Sequence, residues 1–185
     1  MRIAIIGYRG VGKTSLGRAL AHKMGIAFFD IDELVVAATG KTIAAIVTTE
    51  GWQAFRVAEK QQLAKVALLE ECLIATGGGT VLDVENQRII KEMDEVIWLC
   101  TDIKTIVGRI RNDVASLQNR PCLLDEDLEA ETHILLCQRE ALYRALASIT
   151  LTTDGKSIEE IADLIMETIQ RKEANDGRKL HRTTV

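Results

Sequence analysis

A glycine-rich segment near the start of the chain has the residue types and the spacing that bind phosphate groups. Residues 7–14 read Gly-Tyr-Arg-Gly-Val-Gly-Lys-Thr and fit the pattern G-x-x-x-x-G-K-[ST]. Glycines let the backbone curve so that successive N–H groups point at phosphate oxygens, Lys13 adds a positive charge, and the Thr14 hydroxyl can ligate Mg²⁺. An apolar run precedes the motif and an amphipathic helix follows it, which argues against a chance match in a glycine-rich turn. The residues predicted to hold nucleotide phosphates are Gly10, Val11, Gly12, Lys13, Thr14 and Ser15.

Two carboxylates, Asp30 and Asp32, follow the second apolar run. If both lay on a strand, their side chains would point to the same side. The C-terminal ends of parallel strands line the ligand crevice of an open sheet, so one carboxylate could organise Mg²⁺ through water while the other holds a hydroxyl group. The alternative is that Asp32 is a helix N-cap, because aspartate favours that position and Glu33-Leu34-Val35 follows. The sequence leaves both interpretations open.

Three consecutive glycines and three arginines are the remaining candidates. Gly77-Gly78-Gly79 follows the third apolar run, where bare backbone lets a ligand approach closely, whereas a flexible turn needs only one glycine. Arg56, Arg120 and Arg139 would each ordinarily be solvated surface residues. Guanidinium groups are nevertheless the side chains best matched to a carboxylate, so an anionic substrate would need them.

Short apolar runs that alternate with helix-period segments are predicted to position these residues. The strand candidates are residues 3–6, 27–30, 72–76, 95–100 and 148–151, and the helix candidates are residues 13–24, 50–70, 86–93, 102–112, 128–146 and 157–171. This alternation predicts an α/β fold in which helices cover both faces of a five-stranded parallel sheet, as a three-layer α/β/α sandwich.

The length of 185 residues suits one domain, which we place at residues 1–171. Two segments interrupt the alternation. Residues 31–60 are predicted to form a substrate-binding insertion, and residues 113–127, which are aperiodic and hold the only proline, a mobile lid. The polar residues 172–185 are predicted to form a flexible tail.

The composition argues against several classes of partner. A net charge of −4 gives no general attraction to nucleic acid or to acidic membranes. The four cysteines are scattered without a C-x-x-C pair, so reduced thiols are expected rather than a disulfide or zinc framework. The first apolar run is too short for a signal peptide, and none reaches the ~18 residues needed to span a bilayer. We therefore expect a cytoplasmic protein without nucleic-acid or membrane partners.

Five blocks, in this order and with closely similar spacing, resemble the shikimate kinases, P-loop proteins with a nucleoside-monophosphate-kinase-like fold. The resemblance covers roughly residues 1–170. The P-loop is shared by many families, whereas the combination of the other four blocks is specific. The blocks are residues 7–14, Asp30-Ile31-Asp32, Gly51 to Arg56, Gly77-Gly78-Gly79, and Arg120-Pro121-x-Leu-Leu followed by Arg139 to Tyr143.

The resemblance implies a P-loop kinase fold and transfer of the γ-phosphate of ATP, with Mg²⁺, to the 3-hydroxyl group of shikimate by an enzyme expected to be a monomer. Lys13, Asp32 and Arg120 would be catalytic. Asp32 would hold the reactive hydroxyl and act as its base, and Arg120 would reach the transferring phosphate from the lid.

The same resemblance assigns the remaining binding residues. Arg56 and Arg139 would clamp the shikimate carboxylate, and the three glycines at 77–79 would contact its ring hydroxyls. Thr14 would ligate Mg²⁺, with Asp30 supporting the ion through water. Residues 152–157 match the adenine-side loop of the family. Either Arg109 or Arg111 would flank the adenine. Arg111 and Arg120 are included among the predicted nucleotide-binding residues.

The chain departs from the family pattern at two places that carry no chemical role. Ala141 stands where the family usually has proline, and the lid is slightly longer than in compact members. The alternatives are a related small-metabolite kinase with a gluconate or nucleoside monophosphate acceptor, and a non-catalytic nucleotide-binding relative. Retention of Lys13, Asp32, Arg56 and Arg120 together argues against the non-catalytic alternative.

Overall fold

The computed structural model describes residues 1–112 and 127–182 of the chain, with side chains described as far as residue 175. In chain order the described elements are β1 (Arg2–Ile6), α1 (Lys13–Met24), β2 (Phe28–Asp30), α2 (Ile31–Thr39), α3 (Ile43–Val66), β3 (Cys72–Ala75), a 3₁₀ turn (Thr80–Leu82), α4 (Val84–Lys91), β4 (Glu95–Cys100), α5 (Ile103–Asn112), α6 (Leu128–Leu146), β5 (Ile149–Thr152) and α7 (Ile158–Arg182).

The five strands form one parallel sheet with the order β2-β3-β1-β4-β5. β1 is central, and its apolar residues from Ile3 to Ile6 are fully buried, as expected for a strand covered on both faces. Because strand side chains alternate, Ile3 and Ile5 join a core with α1, α5 and α7, while Ala4 and Ile6 join a second core with α3, α4 and α6. The predicted three-layer α/β/α sandwich with a five-stranded parallel sheet is confirmed.

The segment predicted as a substrate-binding insertion, residues 31–60, forms α2 and most of α3. The prediction of a helix over residues 50–70 was wrong at both ends. α3 begins at Ile43 because the Thr42 hydroxyl caps it, accepting the Ala45 N–H at 3.1 Å, and it ends at Val66. Gly51 has non-helical dihedrals (φ 85°, ψ 168°), so α3 consists of two helical pieces.

The final helix continues to Arg182, through most of the segment predicted to be a flexible tail. Lys172 contacts the sheet, where its Nζ donates to the two carboxylate oxygens of Glu95 at 3.1 and 2.8 Å. Composition alone could not reveal this ion pair, because the two residues are far apart in sequence. The flexibility of the tail stays a prediction, and residues 113–126 of the predicted lid lie outside the described part of the chain.

Within the described residues, no helix combines the length and the apolar character that crossing a bilayer requires.

Arg2, the first residue of β1, connects the C-terminal ends of two helices, at the end of the strand opposite the glycine-rich phosphate loop. Its Nη2 donates to the Glu92 carbonyl at 2.7 Å and its Nη1 to the Ala67 carbonyl at 3.4 Å, and these residues end α4 and α3. We expect Arg2→Ala to lower the free energy of unfolding by about 1–3 kcal/mol in urea denaturation, because charged hydrogen bonds to orphan carbonyls are lost. Arg88→Ala, an exposed change on α4, should cost less than about 0.5 kcal/mol. Equal losses in both variants would contradict this role for Arg2.

Candidate active site

The phosphate loop wraps around the ammonium group of Lys13. α1 begins at Lys13, and the preceding Gly12 adopts a left-handed conformation (φ 98°) that a residue with a side chain rarely takes. Lys13 Nζ donates to the carbonyls of Gly7 and Tyr8 at 2.9 and 2.8 Å, and only 9% of the residue is exposed. A buried positive charge therefore lies inside a glycine-rich loop at the N-terminus of a helix, which is an arrangement that favours anions.

Thr14 and Asp30 face each other at the start of α1 and the end of β2. The Thr14 hydroxyl donates to Asp30 Oδ2 at 2.6 Å. The other carboxylate oxygen of Asp30 accepts the backbone N–H groups of Asp32 and Glu33 at 2.9 and 3.4 Å. One carboxylate thus caps α2 and also touches the hydroxyl side chain of the phosphate loop.

The placement of Asp32 corrects both interpretations left open by the sequence. β2 ends at Asp30, so the two carboxylates do not share a strand, and the N-cap of α2 is Asp30 rather than Asp32. The helix starts one residue after Asp30 because the Asp30 side chain accepts its first N–H groups. Asp32 lies in the first turn of α2, with its Oδ1 close to Gly77: a Cβ added at Gly77 would come within 3.3 Å of it.

A cleft adjoins the phosphate loop, whose residues Tyr8 and Arg9 form part of its wall. The three glycines at 77–79 line it, together with the side chains of Arg9, Arg56 and Arg139. These glycines lie just beyond the C-terminal end of β3, where open parallel sheets bind their ligands. The structure thus brings two of the three arginines singled out by the sequence to the glycine run, while Arg120 lies outside the described residues.

Arg56 is held by a buried carboxylate. Its Nη1 donates to Glu59 Oε2 at 2.7 Å, and Glu59 Oε1 accepts the Thr80 hydroxyl at 2.7 Å. Glu59 has no solvent exposure, so the pair fixes the direction of the guanidinium group. The guanidinium also lies against the bare backbone of Gly79, where an added Cβ would come within 2.7 Å of Arg56 Cζ.

Arg139 and Tyr143 approach the same carbonyl from α6. Arg139 Nη1 donates to the Gly78 carbonyl at 3.2 Å, and the Tyr143 hydroxyl donates to the same oxygen. Residues four apart share one face of a helix, which is why both side chains point into the cleft wall. Burial raises the pKa of the Tyr143 hydroxyl, so it stays protonated and remains a donor.

Arg109 rather than Arg111 contacts both the phosphate loop and the segment predicted to form the adenine-side loop. Arg109 Nη1 donates to the Gly10 carbonyl at 3.3 Å and lies 3.1 Å from the Thr153 hydroxyl. The Arg111 side chain is 61% exposed and lies 3.9 Å from Asp127. The structure therefore places Arg109, and not Arg111, between the phosphate loop and the predicted adenine-side loop.

Comparisons with known proteins identify the family of this chain. The shikimate kinase family model matches residues 9–170. A curated shikimate kinase from Syntrophus aciditrophicus (strain SB) is 38% identical over 181 residues, covering 94% of this chain and 93% of the relative. The chain belongs to the shikimate kinase family.

Solved structures place the family within a wider fold. A shikimate kinase from Acinetobacter baumannii in complex with shikimate is 32% identical, with a TM-score of 0.86 over 92% of this chain and 93% of that one. A gluconokinase from Sinorhizobium meliloti 1021 covers 100% of this chain and 97% of its own at a TM-score of 0.63, but only 14% identity. That likeness shows the fold alone. The predicted P-loop kinase fold and family are confirmed, and shikimate kinases are small-molecule kinases that use ATP as co-substrate.

Sequence reasoning gave no role to five side chains that line the cleft, Phe55 among them. Tyr8 and Arg9 occupy variable positions of the phosphate-binding pattern, so the pattern gives them no role. Glu59 and Trp52 line the cleft as well. Glu59 could have been found from its spacing, because an acidic residue three positions after Arg56 on a helix is a candidate ion-pair partner.

Proposed function

We propose that this shikimate kinase family member transfers the γ-phosphate of ATP to the 3-hydroxyl group of shikimate, giving shikimate 3-phosphate and ADP. The observation that carries the proposal is the position of Arg56 and Arg139 beside the bare glycines at 77–79, next to the phosphate loop.

Arg56 and Arg139 would bind the carboxylate of shikimate, because planar guanidinium groups match carboxylates and remain charged. The backbone of residues 77–79 would contact the ring hydroxyls. Asp32, close to Gly77, would accept the proton of the 3-hydroxyl group while the oxygen of that hydroxyl group attacks the γ-phosphorus. The bond between the γ-phosphorus and the bridging oxygen breaks, and ADP leaves.

The phosphate loop would hold the phosphates of ATP through the backbone of Gly10, Val11 and Gly12, with Thr14 and Ser15 at the start of α1. Lys13 would neutralise charge that develops on the transferring group. Phosphoryl transfer requires positioning and charge neutralisation more than covalent participation by the protein, which suits this set of side chains.

Thr14 and Asp30 fit a magnesium ion. Their oxygen atoms lie 2.6 Å apart, and hard oxygen donors beside nucleotide phosphates are what Mg²⁺ prefers. The Thr14 hydroxyl would hold the ion directly and Asp30 would hold one of its water ligands. When bound, the ion would supply charge neutralisation to the phosphates.

Arg109 is proposed to flank the adenine in place of Arg111, since it already contacts Gly10 and Thr153. Arg120 and the lid at 113–127 stay predictions, in which Arg120 would reach the transferring phosphate. The expected monomeric state stays a prediction. The use of ATP and the scattered thiols support a cytoplasmic location.

An assay of ADP release with shikimate, quinate, gluconate and nucleoside monophosphates tests the proposal. We expect turnover with shikimate, and none comparable with gluconate or nucleotides. A clear preference for gluconate would replace the proposed acceptor while keeping the carboxylate clamp. Release of no ADP with any acceptor would overturn the proposed kinase activity of this chain.

The carboxylate clamp makes a further prediction. Arg56→Lys should weaken shikimate binding by about 1.5–3 kcal/mol, roughly tenfold or more, because lysine cannot make the paired hydrogen bonds of a guanidinium. The ATP affinity should hardly change. Arg144→Lys, an exposed arginine on α6 that pairs with Glu140 at 2.7 Å, is the matched control and should behave as wild type. Loss of ATP affinity with shikimate binding kept would show that Arg56 has been misassigned.

A further inference from the structure

Arg9 belongs to the phosphate loop by sequence, but its side chain lies in the acceptor cleft. The backbone N of Arg9 packs against the glycine run, where a Cβ added at Gly78 would come within 3.2 Å of it. The guanidinium group lines the cleft and forms an ion pair with Glu131 of α6 through Nη2. Neither the phosphate-binding pattern nor the acceptor residues described above give Arg9 a function.

Glu131 holds the Arg9 guanidinium from the same helix that carries Arg139. The two α6 residues are eight positions apart and both lie on its buried face. Glu131 has no solvent exposure, and 12% of the Arg9 side chain is exposed. A fully buried carboxylate requires a paired charge, so the ion pair directs Arg9 toward the cleft wall rather than into solvent.

The arginines of the cleft carry N–H donors for which the described residues provide no acceptor. The Nε atoms of Arg9 and Arg139 are both buried, and neither has a hydrogen-bond partner among residues 1–112 and 127–175. A guanidinium offers five N–H donors, and leaving buried donors unmade costs about 1–3 kcal/mol each. The three arginines Arg9, Arg56 and Arg139 outnumber the two buried carboxylates that pair with them, Glu59 and Glu131, and this excess of positive charge favours an anionic group in the cleft.

We propose that Arg9 is a third acceptor-binding arginine, which contacts the carboxylate of the acceptor together with Arg56 and Arg139, and that Glu131 is its positioning residue. The inference rests on the proposed function, because it needs an acceptor with a carboxylate.

Isothermal titration of shikimate into Arg9→Met tests the contact. We expect the dissociation constant to rise about tenfold or more, the loss of a charged hydrogen-bond pair, while that of ADP changes less than about twofold. The dissociation constant of Arg9→Lys for shikimate should lie between those of the wild type and Arg9→Met. Arg171→Met, the same change at an exposed site on α7, is the matched control and should bind as wild type. Unchanged shikimate affinity in Arg9→Met would overturn the inference.

A second acceptor separates contact with the carboxylate from a general effect on the cleft. With an analogue of shikimate whose carboxylate is replaced by a hydroxymethyl group, wild type and Arg9→Met should differ by less than about twofold in dissociation constant or in kcat/KM. An equal defect with both acceptors would show that Arg9 only shapes the cleft. If Arg9→Met fails to fold, Arg9→Lys carries the same comparison, with a smaller difference for the analogue than for shikimate.

The positioning role of Glu131 is tested by a double-mutant cycle. Glu131→Gln keeps the shape and removes the charge, so it should weaken shikimate binding about three- to tenfold. Combined with Arg9→Met it should add almost nothing, because residues that act through one contact are not additive. If the double variant instead showed the product of the two single losses in affinity, Glu131 would not act through Arg9. Turnover of shikimate by the wild-type protein distinguishes failure of the proposed function from failure of the inference about Arg9. Without such turnover the proposed function is wrong. With it, the variants test only the role of Arg9.

Discussion

Replacing Lys13 with alanine is expected to lower turnover with ATP and shikimate by at least about 10²–10³-fold, the loss seen when one preorganised charge or donor is removed from a transition state. The Lys13 ammonium group is buried inside the phosphate loop, where its charge is little screened. Alanine also leaves the Gly7 and Tyr8 carbonyls without their donor, so part of the loss should come from a looser loop. Coupled ADP-release kinetics and nucleotide titration measure the two parts.

The matched control is Lys23→Ala in the last turn of the same helix. Lys23 forms an ion pair with Asp163 of α7, and both side chains are substantially exposed. An exposed pair contributes about 0–1 kcal/mol, so this variant should keep normal turnover and nearly normal stability. If Lys13→Ala turned over at close to the wild-type rate, the phosphate loop would have no part in the mechanism.

The five-stranded parallel sheet and the phosphate loop, though not the order of the strands, could be predicted because both leave local signals in the sequence. The run from Ile3 to Ile6 is buried on both faces, and such strands read as continuous apolar segments. The loop that follows needs glycine at positions with positive φ, which leaves a direct mark in the sequence. The helical segment at 31–39 was harder to predict, because its start depends on one side chain, Asp30, capping it.

The details of the candidate site depend on contacts between residues far apart in sequence. Arg9 and Glu131 are 122 positions apart, and no periodicity or motif links them. Arg109 and Arg111 look equivalent in the sequence, yet residues two apart on a helix point in different directions, so only Arg109 reaches the phosphate loop. The glycine run was recognisable because close approach to a ligand or to Arg56 excludes a side chain.

Asp32→Asn is expected to lower turnover by roughly 10²-fold or more, because the amide cannot accept the hydroxyl proton that general-base catalysis requires. The loss of turnover can be distinguished from a loss of stability of α2. The N-cap of α2 is Asp30, so the substitution leaves that cap in place, and the first-turn charge it removes is worth about 0.3–1 kcal/mol near a helix N-terminus. Shikimate and ATP should still bind, since the clamp and the phosphate loop are unchanged.

Glu33→Gln removes a charge from the same helical turn and is the matched control for Asp32→Asn. The Glu33 side chain is exposed and pairs with Arg18 at 2.6 Å. Both variants should lose a similar, small amount of stability in thermal melts, but only Asp32→Asn should lose turnover at saturating substrates. If the two variants instead lost stability alike and both kept turnover, Asp32 would serve only the charge balance of α2, and the proton of the 3-hydroxyl would need another acceptor.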